Sequence, residues 1–434
     1  MMFMGMNTII KLERRTQKGW LLWLLIIMPF LLGTLTELLR LPWALRYAMD
    51  FAWITLVIYL LWNRKVYRKQ IVPLVLWIVL FLIYTFLSYV VQYQSGFYFL
   101  WGFRNLFRFY GAFLVFAVLL KPKDVANFLK LFDILFWINI AVSMIQFFVL
   151  GLKGDYLGGI FSTELGGNGY TNIFFVIMAT KSILLYIEKK EKLSWCILKC
   201  ATMLMVAALA EMKFFFLEFI GIVVLAILFS KFTWRKLAII IASIIAVVLF
   251  ATLLEKLFPI FEGFLSLEYL IDSALSDKGY TSSGDLNRLN AIPKINELWL
   301  KSGWQRLFGL GLGNCDTASF AFLNTPFYEA NGYMHYSWRS YALMYLECGW
   351  IGLIFYFGFF VLVYLSIRRI EKRCSGVATT YCRMGRILAL MCMIIAIYNS
   401  SLRTEAGYMM YFALSVPFVM RRDQIGAARR GEKK

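Results

Sequence analysis

A chain of 434 residues with 61% hydrophobic residues, 18% aromatics and a mean hydropathy of +0.69 carries more apolar surface than a soluble domain can hide, so lipid must solvate most of it. The formal charge of +20 does not indicate a nucleic-acid binder, because the basic residues fall in short runs between apolar segments rather than on one soluble face. Seven cysteines form no CxxC pair, and Cys196 and Cys200, four apart near a helix end, read as packing residues, so neither a disulfide nor a zinc site is expected.

The first apolar segment follows "KLERRTQKGW" and is followed by no small-residue cleavage site, which predicts a retained helix and not a cleaved signal peptide. Crossing a bilayer takes about 17–25 apolar residues. Runs of this kind fall at 20–38, 47–62, 71–91, 103–120, 127–149, 169–187, 195–210, 213–230, 237–257, 349–367, 386–400 and 408–420. The connections "NRKVYRKQ", "KPKD", "EKKEKL", "KFTWRK" and "RRIEKRCSGVATTYCRMGR", with both termini, hold most of the 45 lysines and arginines. They alternate with basic-poor loops, which predicts cytoplasmic termini by the positive-inside rule.

The expected fold is therefore all-α, a polytopic integral membrane protein of about twelve transmembrane helices with one large extracytoplasmic loop. Residues 1–257 hold the first nine helices, 258–348 the loop, and 349–434 the last three helices and a basic cytoplasmic tail. The segment "IPKINELWLKSGWQRLFGLGLGN" in the loop suggests short amphipathic helices lying on the membrane surface. No internal repeat is evident, which weakens an inverted-repeat transporter reading.

Basic residues on the outer side are the informative ones, because a charge against an apolar helix needs a partner. Arg40, Arg46 and Arg306 read as headgroup contacts. Arg104 and Arg108, spaced i, i+4 in "WGFRNLFRFYG", share a face and suit either a di-anion or a shared structural carboxylate. Lys213 follows Glu211 in a tight outer turn, where a local ion pair is the simpler reading. Glu218 and Asp50 are intramembrane carboxylates and candidates by default. Arg288, Arg339 and Arg403 complete the outer cations considered. His335, the only histidine, stands before an apolar helix and is a candidate proton acceptor or an interfacial hydrogen-bonding residue.

No cofactor is expected. The glycines of "GLGLGN" miss the G-x-G-x-x-G spacing and read as loop glycines in close backbone approach. No D-x-D pair or His/Cys cluster supports a metal-dependent sugar-nucleotide transferase. Scattered outer cations and one base instead suit a pre-activated, membrane-bound substrate with a diphosphate leaving group.

"NRLNAIPKINELWLKSGWQRLFGLGLGN" followed by "HYSWRSYALMYLECGWIGLIFYF" resembles the signature region of the O-antigen polymerase and ligase superfamily. There an arginine opens the large outer loop, a glycine-rich stretch follows, and a histidine precedes a helix with an E-x-G-x-x-G pattern. The corresponding residues are Arg288, Gly309 to Gly313, His335, and Glu347, Gly349 and Gly352. "GGIFSTELGGNGYTNIFF" and "SSGDLNRLN" resemble capsular and exopolysaccharide polymerases more than ligases. Ligases usually carry a Ser-Arg pair after the seventh helix, where this chain has Glu211-Met212-Lys213, and the anion-binding role passes to Lys213, a point charge that cannot grip phosphate bidentately.

The resemblance implies a metal-independent glycosyltransferase of the bacterial cytoplasmic membrane that polymerises undecaprenyl-diphosphate-linked oligosaccharide repeats. One lipid-linked chain is donor, and the non-reducing sugar of another is acceptor. His335 takes the proton from the acceptor hydroxyl as it attacks the anomeric carbon, inverting it in one displacement. Arg288, with Lys213 and Arg104 or Arg108, stabilises charge on the departing diphosphate. Arg339 either orients His335, touches phosphate or anchors to headgroups. A ligase moving finished glycan shares the fold, and a flippase of lipid-linked sugars draws modest support from Asp50, Lys181 and Glu218, although Lys181 and Lys199 lie near cytoplasmic helix ends. A partner flippase or chain-length regulator leaves no readable mark, and a non-catalytic regulator would show two helices flanking a coiled coil.

Overall fold

A computed structural model describes residues 17–63, 71–92, 94–230, 252, 285–318, 320 and 323–429. The predicted ninth span, 237–257, and residues 258–284 of the predicted loop lie outside these apart from residue 252. Every regular element among the described residues is helical. In chain order the long ones are α1 (Gln17–Gly33), α2 (Tyr47–Trp62), α3 (Val72–Val91), α4 (Gly96–Leu119), α5 (Pro122–Phe148), α6 (Gly167–Ile187), α7 (Leu193–Leu209) and α8 (Lys213–Leu228). Short helices α9 (Ala291–Leu298), α10 (Gly303–Phe308) and α11 (Pro326–Asn331) follow, then α12 (Ser340–Glu371), α13 (Val377–Tyr398) and α14 (Gly407–Arg429).

Eight helices among the described residues are long and apolar enough to cross a membrane, which makes the chain a multi-pass helical membrane protein. They are α1 and α2 with their short π and 3-10 extensions, α3 to α6, α12 and α13. At 17 and 16 residues, α7 and α8 are shorter. The last helix, α14, turns from apolar to charged at Arg421, Arg422 and Asp423 and runs on to Arg429.

Lipid gives apolar helices no hydrophobic reason to associate, so the bundle must be held by packing and by buried polar contacts. Interlocked rings supply the packing: Tyr110 lies 4.6 Å from Phe359, Phe359 stacks on Tyr411 at 5.9 Å, and Phe81 stacks on Phe355 at 5.2 Å. Placement in the bundle follows from burial. Helix α6 is buried continuously from Thr171 to Leu184 and is central. In contrast, α3 exposes Leu76, Leu80, Ile83 and Leu87 and lies at the periphery.

The glycines of the resemblance serve the backbone. Gly349 interrupts α12 with φ 60° and ψ −163°, a region open only to glycine, so the helix breaks where the sequence placed its start. The break frees carbonyls, and the glycine-rich turn takes them up. Leu310 N donates to Leu346 O (2.9 Å), Gly311 N to Glu347 O (2.8 Å), and the Tyr84 hydroxyl to Cys348 O (2.6 Å). Glu347 itself accepts from Cys315 N at 3.0 Å. A Cβ on Gly349 would stand 2.3 Å from Leu307 O. Gly349→Ala is therefore expected to cost at least about 3 kcal/mol, read as a fall in thermal unfolding temperature and in membrane abundance.

Candidate active site

Helix ends and loops that the charge pattern put on one side meet at one end of the bundle. There two adjoining cavities, of about 520 and 340 Å³, share Arg46, Trp338, Ser400, Thr404 and Glu405 as lining. The α12–α13 connection and the cytoplasm-assigned ends of α5, α6 and α7 lie at the opposite end. Lys181 reaches Asp133 (2.5 Å) and Leu129 O (2.9 Å) there, Lys199 reaches Glu191 (2.8 Å), and Arg386 reaches Glu371 (2.7 Å).

His335 occupies a left-handed backbone position, φ 51°, between two 3-10 turns. Its Nδ1 lies 2.5 Å from Asp285 Oδ1, and its ring stacks on Trp338 at 3.8 Å and 24°. The Asp285 side chain is fully buried, while 34% of the His335 side chain is exposed. Leu286 N donates to Met334 O at 3.1 Å, which ties the two strands of chain together beside the pair. With Nδ1–H donating to the carboxylate, Nε2 keeps its lone pair and can accept a proton. His335 lines neither cavity itself, but Trp338, its stacking partner, lines both. Asp285 was missed in the sequence. Its only signal is its position three residues before Arg288 in "SSGDLNRLN".

The cations separate into two groups. Around the smaller cavity stand Arg46, Arg104, Arg108 and Arg403. Neither Arg104 nor Arg108 shares a carboxylate with the other. Arg104 pairs with Asp50 (2.7 Å), Arg108 with Glu405 (3.0 Å), and Arg403 with Asp316 (2.6 Å). Burial pushes the Glu405 carboxyl up, but Arg108, a hydrogen bond from Tyr170 and Arg46 outweigh it and hold the group at about 2. Arg46, read as a headgroup contact from the sequence, instead lines both cavities.

Arg288 and Arg339 line the larger cavity. The Arg288 guanidinium sits 4.2 Å from the Tyr398 ring, and its carbonyl accepts from the Tyr341 hydroxyl. Arg339 is extended (φ −126°, ψ 123°), so the i, i+4 helical relation to His335 does not hold, and its buried side chain belongs to the cavity wall rather than to a headgroup layer. Lys213 opens α8 but is not in either lining. In that turn Glu211, Met212 and Phe214 face the larger cavity. Of the other charges considered, Asp50 and Lys181 are ion-paired, and Glu218 is buried in α8 with Asn172 of α6 as its polar neighbour. Among the described residues no group of three or more His, Cys, Asp or Glu residues has the arrangement to hold a metal.

The α5–α6 connection forms the far wall of the larger cavity and is built rather than loose. Gln146 exchanges two hydrogen bonds of 2.7 Å with Gly159, and Asn139 accepts from Ile160 N at 2.9 Å. From the π-helical turn after α1, Glu37 accepts from Ser162 Oγ (2.5 Å), Thr163 N (2.6 Å) and Thr163 Oγ1 (2.7 Å). Glu37→Ala is expected to cost about 2 kcal/mol in local stability, measured as faster amide exchange confined to residues 157–166.

No protein-family model matches this chain. No curated protein matches it either.

Proposed function

We propose that this protein is a membrane glycosyltransferase that polymerises undecaprenyl-diphosphate-linked oligosaccharide repeats at the outer face of the bacterial cytoplasmic membrane. In this reading the chain crosses the membrane about twelve times, with both termini cytoplasmic and residues 258–348 outside. The observation that carries it is the His335–Asp285 pair standing one ring away from two arginine-lined cavities.

The acceptor hydroxyl loses its proton to His335 Nε2 as its oxygen bonds to the anomeric carbon, and the bond from that carbon to the diphosphate oxygen breaks. The leaving diphosphate carries away the electron pair. In this reading Arg288 and Arg339, which line the larger cavity, stabilise it, with Arg46 lining both cavities. Asp285 holds the imidazole tautomer and stabilises the imidazolium that forms.

The test uses the purified full chain in lipid nanodiscs with synthetic undecaprenyl-diphosphate-linked repeats and no nucleotide or metal. A ladder of repeat lengths is expected. A single transfer to a different acceptor identifies a ligase. Unchanged lipid-linked sugar that moves between leaflets of a vesicle identifies a transporter and ends the polymerase reading.

A further inference from the structure

The smaller cavity holds more positive charge than its carboxylates neutralise. Arg46, Arg104, Arg108 and Arg403 line it with Asp316 and Glu405, and Asp50, outside the lining, pairs with Arg104. Both oxygens of each carboxylate are already engaged. Asp316 accepts from Arg403 and Asn105 on Oδ2 and from Thr317 N on Oδ1. Glu405 accepts from Arg108 on Oε1 and Tyr170 on Oε2, and Asp50 from Trp53 on Oδ1 and Arg104 on Oδ2. Among the described residues Arg46 has no carboxylate partner, and its one hydrogen bond is a long one, 3.4 Å, to the Tyr47 hydroxyl.

Aromatic rings hold Arg46 in place without cancelling its charge. Its guanidinium lies 5.3 Å from the Tyr47 ring and 5.9 Å from the Trp43 ring. Nη1 of Arg46 and Nη1 of Arg403 have no hydrogen-bond partner among the described residues. A guanidinium fixed by rings and lacking a counter-charge, on a cavity of about 340 Å³, is preorganised for an oxyanion. The rest of the lining suits a sugar better than a bare phosphate. Trp101, Tyr328 and Trp338 supply rings for C–H faces, and Asn105, Ser337 and Ser400 supply amide and hydroxyl groups.

We propose that the smaller cavity is a subsite for an acidic sugar, with Arg46 as the cation that takes the sugar's carboxylate. This rests on the glycosyltransferase reading for its place beside the base, since Trp338 lines the cavity and stacks on His335, but not for its recognition chemistry. A uronate brings the counter-charge that Arg46 lacks and an acceptor for its Nη1. A neutral sugar of the same shape leaves that charge uncompensated, so the cavity discriminates by charge. Arg288 and Arg339 line the larger cavity alone and stay with the leaving diphosphate.

The test is titration calorimetry of the full chain in nanodiscs of zwitterionic lipid, with tetragalacturonate and its fully methyl-esterified form. The two ligands share their sugar rings and differ in charge. The native protein is expected to bind the uronate about tenfold or more tightly than the ester, a gap that narrows as salt rises. Arg46→Gln strands no carboxylate and should weaken uronate binding about tenfold while leaving the ester unchanged. Thr317→Glu puts a carboxylate at an exposed position that lines the smaller cavity and not the larger, and should abolish the preference. Both variants should match the native chain in circular dichroism and unfolding temperature. Equal binding of the ester, a gap untouched by Arg46→Gln, or no binding of either ligand overturns the subsite. A gap closed by Arg46→Gln but not by Thr317→Glu moves the anion to the larger cavity and overturns it too. Inorganic pyrophosphate that displaces the uronate at equal or lower concentration makes Arg46 a phosphate ligand and overturns the sugar assignment. A repeat ladder made by a protein without charge preference removes only the subsite. Charge-selective binding in a protein that never extends lipid-linked repeats removes the polymerase reading and leaves the subsite standing.

Discussion

His335→Ala is expected, on the proposed polymerase reading, to lower the rate of repeat addition by about 10²–10⁴-fold at matched membrane abundance, leaving single lipid-linked repeats where that reading has the native protein make a ladder. The size follows from the chemistry, since a general base contributes that factor when it meets the attacking hydroxyl in the transition state. Asp285→Asn separates orientation from basicity. The amide can still touch Nδ1 at the 2.5 Å position, but it offers either no charge or the wrong tautomer. It should therefore lower kcat while leaving KM nearly unchanged and shift the pH profile of kcat, a signature that a purely structural aspartate would not give. A normal ladder from His335→Ala removes the base from the scheme. Trp338→Ala, which removes the stacking partner and a wall of both cavities, should raise KM as well.

Glu405→Gln is expected to cost about 3–5 kcal/mol of stability, the largest structural effect of any single polar change here. Glu405 receives Arg108 Nη1 at 3.0 Å and the Tyr170 hydroxyl at 2.8 Å, and Arg108 also donates to Arg403 O at 2.9 Å. Removing the carboxylate charge leaves a guanidinium buried among α4, α14 and the turn before it, where 3% of Arg108 is exposed. Replacing both partners with apolar residues, Arg108→Met with Glu405→Leu, should recover much of the loss because no charge is then stranded.

The same pair sets an acid limit. Glu405 is held at about 2 against an ordinary value of 4.5, so the folded state binds the proton less readily than the unfolded chain. Its contribution, about 3 kcal/mol, is fully present above about pH 4.5 and disappears as pH falls through 2. Thermal unfolding of the detergent-solubilised protein between pH 2 and pH 7 should show this slope in the native chain, and Glu405→Gln should flatten it. Parallel curves would place the acid sensitivity elsewhere.

Hydropathy located the bundle because crossing a bilayer imposes a minimum apolar length on each helix wherever it packs. Each span read from 20–38 to 213–230, and from 349–367 to 408–420, overlaps a helix. Two helix starts differ from the spans read in the sequence. Helix α4 begins at Gly96 and not near 103, and α13 at Val377 and not near 386. Arg104, Arg383 and Arg386 sit inside them because Asp50, Glu188 and Glu371 partner them, and such partners are invisible to a local window.

The lone histidine was legible by residue type alone, and Arg288 and the glycines of the "GLGLGN" turn through the motif resemblance and their place outside the apolar runs. What those residues touch was decided by tertiary packing. His335 and Asp285 are 50 positions apart, and Arg108 and Glu405 are 297 apart. Pairs at such separations exist only when helices far apart in sequence are laid side by side, so no periodicity encodes them. Composition and hydropathy therefore determined a multi-pass helical protein, and charge alternation singled out the set of cations to consider at one end of it. The bundle alone determined which cations are neutralised by buried carboxylates, which ones line a cavity, and that a carboxylate stands behind the only imidazole.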